Sequence, residues 1–381
     1  MSQPTPRRSL DRKKRRIFFA VMLSLPVLTL ATLYLGSIVA RGGWSYYKFK
    51  IRQHSWSGQA WRADPALGYA HVSGFRGRQY VSPDVSQAIR IDERGFRIPE
   101  GGRPPGRTGP RILSLGGSFT FGVGVESEAT YTDLVAEELG GTAYNAGVNG
   151  YGLSQMIVQS RQLLEPVKPD VVLASFASWI VHRAQDTYSS TRFAAVPVPY
   201  VAGVGLPVRI EPPAFEPKIF DLHFAERLDR PVGAVGLLDY LVRVAFPLYL
   251  HDDANRLAFG VRRATGRAPE PLGDPVALVR AGYSEILANA TAAGARLYVV
   301  DIRSVYEAPD EYLAALRAIP GLRFVETRDA LWSHVEGTTP DDYLRRFGHW
   351  VDGAMVDLHP NAAAHRILAE ETRKVVAAEL P

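Results

Sequence analysis

The 381-residue chain contains no cysteine, which excludes disulfides, thiolate nucleophiles and cysteine-ligated metals. No clustered His/Asp/Glu spacing matches a metal site, and no cofactor is implied. Charge of one sign is scarce once the N-terminus is set aside. Residues 1–16 hold seven Lys/Arg and one Asp, so the rest of the chain carries 37 basic and 38 acidic residues, a net of −1. A nucleic-acid partner therefore has no support from bulk charge. Internal repeats and long low-complexity tracts are also missing, and only one apolar run is long.

That run, Ile17 to Ala40, is 24 residues without a charge. At 1.5 Å rise per residue it spans roughly 36 Å, enough to cross a bilayer. The basic residues crowd its N-terminal side, which places residues 1–16 in the cytoplasm and the chain after Ala40 outside it. A cleaved signal peptide is the alternative, but the run exceeds the h-region of about 7–15 residues. The reading adopted is a single-pass anchor at 17–40 with an extracytoplasmic (periplasmic or cell-surface) domain. Trp and Tyr in "RGGWSYYKFK" (Arg41–Lys50) suit a helix leaving the membrane.

Residues 41–109 are polar and glycine-containing, with short alternating stretches such as "QAIRIDERGFRI", and read as a small β-rich extension. From about residue 110 to 381 the pattern becomes strand, turn, helix, repeatedly. Ile112–Leu115, Ala143–Ala146, Asp170–Phe176 and Arg296–Ile302 read as strands. Helices are expected over Glu128–Leu139, Leu153–Leu164, Ala277–Ala293, Glu311–Ala318 and Asn361–Glu379. Such alternation predicts an α/β fold with a parallel sheet covered by helices. Between about 187 and 273 a Pro-rich stretch and the segment Leu237–Leu250 interrupt the alternation and read as an insertion. Asp239 and Arg243 argue against a second span there.

The first strand ends at Gly116-Gly117-Ser118, so Ser118 falls at the carboxyl edge, where open α/β sheets bind ligands. A phosphate loop is excluded: Gly117 and Gly122 have the spacing, but Val123 and Gly124 stand where Lys and Ser/Thr are needed. A serine nucleophile needs an imidazole to take its proton and a carboxylate to orient that imidazole. "VDLHPNAAAHRILAEE" (Val356–Glu371) offers both, because Asp357 and His359 are two apart and project to one side of an extended backbone. His365, on the last helix, reads as a packing or capping residue.

Together these stretches resemble the SGNH/GDSL hydrolase family. "LGGSFTFGVGVESEATY" is similar to its first block, with Gly117 where Asp often stands. "NAGVNGYG" (Asn145–Gly152) resembles the second, with Gly150 at the glycine whose N–H joins the oxyanion hole. "DLHPNAAAHRILA" resembles the last. The lead-in "DPALGYAHVSGF…IDERGFR" is seen before this core in many membrane-anchored relatives.

The resemblance implies a flavodoxin-like three-layer sandwich with a central parallel sheet. It also implies Ser118 as nucleophile, His359 as base and then acid, and Asp357 as its orienting partner, with Asp352 as the fallback. The oxyanion donors would be the N–H groups of Ser118 and Gly150, with Ser178 as a third. Two departures stand out. The family's Gly-x-Asn-Asp block falls on "FASWIVHRAQD", where Trp179 replaces the Asn region, and the usual acid position, three before the His, is Val356. Tyr151 and Trp179 sit where a sugar ring could stack, and His182 and Arg183 where substrate contact is expected.

The implied activity is a serine esterase removing O-acetyl groups from an envelope or exported polysaccharide, alongside envelope polysaccharide machinery. An O-acetyltransferase with the same triad is one alternative. A non-catalytic glycan-binding or assembly protein on the same fold is another. The expected partners are an acylated carbohydrate and, through the N-terminal helix, the membrane.

Overall fold

The computed structural model describes residues 12–104, 108–190, 195–214, 233–303, 305 and 308–380. The basic tail through residue 11, and residues 191–194 and 215–232 of the insertion, lie outside the described residues.

The chain opens with one long helix, α1 (Arg12–Lys50), whose residues 17–33 are exposed on every side, Leu23 by 73%. Among the described residues it is one of two helices long and apolar enough to cross a membrane. It continues ten residues past the apolar run, so Trp44 and Tyr47 stack on its last turns with ring centroids 5.6 Å apart.

Six short strands follow: β1 (Ser55–Trp56), β2 (Trp61–Asp64), β3 (Gly68–His71), β4 (Arg76–Tyr80), β5 (Ser86–Ile91) and β6 (Arg97–Ile98). The core then runs through β7 (Arg111–Leu115), α2 (Ser118–Phe121), α3 (Tyr131–Glu138), β8 (Thr142–Asn145), α4 (Leu153–Val167), β9 (Val171–Phe176) and α5 (Ser178–Arg183). The insertion contains two hairpins, β10 (Tyr188–Ser190) with β11 (Ala195–Pro197) and β12 (Tyr200–Gly203) with β13 (Arg209–Glu211). It also contains α6 (Ala234–Tyr240) and α7 (Phe246–Ala264), joined by a π turn at Leu241–Ala245. Beyond it come α8 (Pro275–Ala292), β14 (Arg296–Asp301), α9 (Asp310–Arg317), β15 (Arg323–Val325), α10 (Arg328–Trp332) and α11 (Pro340–Phe347). A hairpin of β16 (His349–Val351) and β17 (Ala354–Asp357) leads to α12 (Ala362–Glu379).

The parallel strands stand in the order β8-β7-β9-β14-β15. Counted along the chain this is 2-1-3-4-5, the flavodoxin-like order, with its switch point between β7 and β9. Helices α3 and α12 pack together, and α4, α8 and α9 form a second group, completing the three-layer α/β arrangement. Every residue of β9 is buried, as a strand covered on both faces must be. Most strand and helix bounds agree with the sequence within a few residues. The largest shifts are three residues: the helix from Leu153 runs on to Val167, and α3 starts at Tyr131 rather than Glu128 because Thr130 takes an extended conformation and caps it, accepting from the Asp133 N–H.

The extension is continuous with this sheet. Strands β4, β5 and β6 pair antiparallel, and β6 joins β8 through Arg97 opposite Asn145. An aromatic cluster from the extension, including Trp56, Trp61, Tyr69 and Phe75, packs with Phe121 of α2 and Tyr151. Burying a ring of this size is worth about 1.5–3 kcal/mol, so the extension contributes to holding α2 in place.

Candidate active site

Ser118 follows the carboxyl end of β7 and opens the four-residue helix α2. Two close approaches explain the glycines around it. A side chain at Gly116 would lie 2.1 Å from Thr120 Oγ1 and 2.3 Å from Ser175 Oγ. At Gly147 it would lie 2.4 Å from the Phe121 nitrogen, so the second block's backbone rests directly on α2. Asn145 joins the two blocks: its Nδ2 donates to the Thr120 carbonyl at 2.8 Å and its Oδ1 accepts from the Gly147 N–H at 3.0 Å. Ser118 itself is 9% exposed.

Arg97 secures the far side of the turn. Its guanidinium donates to the carbonyls of Phe121, Gly122 and Val125 at 2.5, 2.6 and 2.6 Å and lies over the Phe121 ring. Burial lowers its pKa to about 10, against the acidic Asp133, Glu126 and Glu128, so it stays charged at neutral pH. A charge-assisted donor set of this kind ties down three loop carbonyls, of which that of Gly122 also accepts from the Val125 N–H at 3.4 Å.

The base comes from the other end of the chain. β17 ends at Asp357, Pro360 follows His359, and Asn361 caps α12 by accepting from the Ala363 and Ala364 N–H groups. His359 Nδ1 stands 2.5 Å from Asp357 Oδ1, and the His359 backbone N–H donates to the same oxygen at 2.7 Å. Burial would raise the Asp357 carboxyl, but the His359 imidazole, its two hydrogen bonds and His54 outweigh it and hold the pKa below the usual value. That geometry fixes the tautomer in which Nε2 is free to take a proton. The His359 ring lies 5.2 Å from the ring of Phe119, the residue after Ser118, so the two halves of the site meet there.

Asp352, the fallback acid, sits exposed in the β16–β17 turn with a positive φ of 47°. The structure thus brings Asp357 to the imidazole and leaves Asp352 in the turn.

The remaining predicted residues divide. Gly150 adopts φ +86°, a conformation that favours glycine, and a side chain there would meet the Tyr69 hydroxyl at 2.5 Å. It borders a cavity of about 30 Å³ together with Gln155, Arg183, Asp186, Ser189 and Val198. Arg183 turns inward, donating to the Tyr151 carbonyl at 3.1 Å, and its Nη1 lies 3.4 Å from where a Gly117 side chain would stand. The Asp that often fills that position in the resembled block is thus replaced by space beside an arginine. Ser178 begins α5, and Trp179 is half-buried with its ring 5.3 Å from Phe119. His182 is exposed and its Nε2 pairs with the Tyr312 hydroxyl at 3.0 Å.

Tyr151 is a correction. Its ring is fully buried, edge-on to Tyr69 at 5.3 Å, and its hydroxyl donates to the Tyr69 carbonyl, so no sugar can stack on it. The sequence placed it at the sheet edge without showing that the extension covers it.

Two further histidines approach the acid. His54, four residues after α1, has Nδ1 4.0 Å from Asp357 Oδ2. His349, paired across the hairpin with Asp357, is held neutral by burial, its Nε2 buried beside Gly124. His54 has no local sequence signal, because it reaches Asp357 through a tertiary contact, whereas His349 does so through the local hairpin register. The β16–β17 hairpin turns at Asp352-Gly353, both with positive φ (47° and 77°), a D-G hairpin signal that the sequence reading did not use. His365 is structural as expected: its Nδ1 accepts from the Tyr131 N–H at 3.1 Å and its ring stacks on Tyr131. A separate cleft of about 330 Å³, lined by Arg103, Glu128 and Asp133 among others, contains none of these residues.

No family model matches the sequence, and no curated protein matches it. Solved structures similar to it include a G-D-S-L family protein from Desulfitobacterium hafniense DCB-2, at 8% identity over 70% of this chain and 98% of that one, TM-score 0.33. Another is the lipase/acylhydrolase from Enterococcus faecalis, at 12% identity over 71% and 97%, TM-score 0.36. A third is an acetylxylan esterase from Geobacillus stearothermophilus, at 16% identity over 70% and 93%, TM-score 0.34. Overlaps this loose carry no argument about chemistry. Strand order and the placement of Ser118, Asp357 and His359 give this chain a three-layer α/β fold whose blocks resemble the SGNH/GDSL hydrolases.

Proposed function

We propose that the protein is a membrane-anchored serine esterase that removes O-acetyl groups from an envelope or exported polysaccharide. The observation that carries this reading is the Asp357–His359 pair, bonded at 2.5 Å through Nδ1 and set against the α2 turn that bears Ser118. In this mechanism His359 Nε2 takes the proton from Ser118 Oγ as the oxygen attacks the acetyl carbonyl. The backbone N–H groups of Ser118 and Gly150 stabilise the oxyanion, with Ser178 replacing the missing Asn donor. His359 then protonates the departing sugar hydroxyl, leaving an acetyl-serine that water attacks with the roles reversed.

Half-buried Trp179 stands near His359 through Phe119 and offers an aromatic face for a sugar ring. Transfer to a sugar hydroxyl shares the first half-reaction, so the acceptor alone divides esterase from transferase. α1 serves as the anchor, with the catalytic domain on the extracytoplasmic side.

The full chain in detergent, incubated with p-nitrophenyl acetate and with an O-acetylated polysaccharide, is expected to release acetate. Added sugar acceptor should leave that release unchanged. Acetate appearing on the acceptor instead would replace the esterase with the transferase. No turnover of either ester would leave the non-catalytic reading.

A further inference from the structure

The insertion helix carries an apolar face that the catalytic fold does not use. Along α6 and α7, Val235, Leu238, Val242, Leu250, Leu257 and Val261 are all 55–85% exposed. Val235 to Val242 is seven residues, Val242 to Leu250 eight, and Leu250 to Leu257 seven again. The extra residue falls where the π turn at Leu241–Ala245 adds one to the helical repeat, so the stripe keeps to one side.

The opposite side of the same helix is specifically seated. Tyr240, Val244, Ala245, Leu248 and Tyr249 pack with Ile38 and Tyr46 of α1. The two backbones come close at Gly42, where a side chain would lie 2.7 Å from both Ala245 and Leu241. Arg41 pairs with Asp253 at 2.8 Å, and Tyr34 donates to the same carboxylate at 3.0 Å. Tyr34 belongs to the uncharged run of α1, so the insertion helix lies alongside the apolar segment itself. Phe259 packs edge-on to Tyr188 and Tyr200, which fixes the C-terminal part of α7 to the catalytic domain.

We propose that the exposed stripe of α6–α7 faces lipid: the helix lies in the bilayer surface beside α1 and seats the catalytic domain on the membrane. Three observations name lipid as the occupant. The helix that bears the stripe packs on α1 next to an apolar run whose residues 17–33 are all exposed. The most apolar 18-residue stretch of α6–α7 has a mean hydropathy of 1.2 against 2.1 for that of α1, and the charges at Asp239, Arg243 and Asp253 suit an interfacial helix better than a spanning one. Arg262, exposed in its last turn beside Arg263, which pairs with Glu270 at 3.2 Å, is placed for anionic headgroups. The proposal rests on α1 being a membrane anchor. His54, which reaches Asp357, follows α1 by four residues, so such seating holds the acid of the triad close to the membrane surface.

The absence of cysteine provides the test. Single variants of the full chain, Leu28→Cys in α1, Leu238→Cys and Leu257→Cys on the stripe and Arg366→Cys on α12, are labelled with NBD in phosphatidylethanolamine/phosphatidylglycerol vesicles. All four positions are exposed, so the substitutions leave the core intact. Labels at 238 and 257 should show blue-shifted emission and quenching by doxyl-lipid, as at 28, while the label at 366 is quenched by aqueous iodide. Iodide quenching at 238 and 257 with lipid quenching at 28 overturns the proposal. Protection from both quenchers at 238 and 257 means a protein surface covers the stripe, and overturns it too. Loss of lipid quenching at 28 removes the anchor on which the proposal rests and overturns both.

Discussion

The two halves of the candidate site are held in different ways. Ser118 stands on a turn fixed from every direction: Gly116 and Gly147 allow close backbone contact, Asn145 bridges the blocks and Arg97 ties three carbonyls. His359 instead follows a two-stranded hairpin outside the main sheet, whose turn and rim (Asp352, Met355) are exposed. It depends on one short pairing to Asp357. The nucleophile is positioned by the core of the fold, the base by a peripheral element that other groups can influence. Mutations on the two sides should therefore fail differently.

The largest effect tests the chemistry shared by both halves. Ser118→Ala and His359→Ala should each lower kcat by about 10⁴–10⁶, and the double variant by little more, because nucleophile and base act as one unit. Rates measured with p-nitrophenyl acetate check this. Additive losses would mean that the two residues do not cooperate.

Next comes the choice of acid. Asp357→Asn should keep the fold and lower kcat by about 10⁴, since an amide at that position favours the wrong imidazole tautomer. Asp352→Asn should leave kcat unchanged. A loss confined to Asp352→Asn would reverse the assignment made from the 2.5 Å contact.

On the nucleophile side the expected damage is to stability first. Arg97→Met takes the charge-assisted donor from three carbonyls, of which that of Gly122 keeps the Val125 N–H, and should cost about 2–5 kcal/mol. Urea denaturation would show the midpoint falling, whereas Asp357→Asn should move it much less. Equal shifts for the two variants would remove the contrast between a core-held serine and a hairpin-held base.

The smallest effect comes from two buried imidazoles that serve packing. Burial lowers both His71, stacked between Trp61 and Phe121, and His365 to about 3. A folded pKa below the unfolded value of about 6.5 means the unfolded chain binds more protons between these limits. Stability contributed by the neutral rings is full above pH 6.5 and is lost as pH falls toward 3. His365→Gln should flatten the decline in midpoint across this range, as measured by urea titrations at several pH values. An unchanged slope would show that other groups govern acid unfolding.

Much of this was legible in the sequence because the signals are local. The run Ile112–Leu115 ending in two glycines, the uncharged strand 171–176 and the D-x-H-P before a capped helix each declare themselves within a few residues. Spacing put Asp357 and His359 on one side of an extended backbone, and the resemblance made Asp357 the first choice of acid, with Asp352 as the fallback. What was not legible depends on distant packing. Tyr151 looked accessible because nothing near it in sequence reveals that Tyr69 covers it. Arg97 read only as part of an alternating β stretch, yet it secures a loop 24 to 28 residues away. The joining of the extension to the core sheet turns on a single register, Arg97 opposite Asn145, which no periodicity encodes. His54 was missed for the same reason, and His349 because the Asp352-Gly353 turn that sets it opposite Asp357 was not read as a hairpin.

The central claim is that Ser118 is a nucleophile activated by His359. Intact mass spectrometry after treatment with a fluorophosphonate tests it most directly. The account predicts one adduct on the wild-type chain, mapped to the peptide containing Ser118, and none on Ser118→Ala or His359→Ala. An unlabelled wild-type chain, or an adduct that persists in Ser118→Ala, would contradict it.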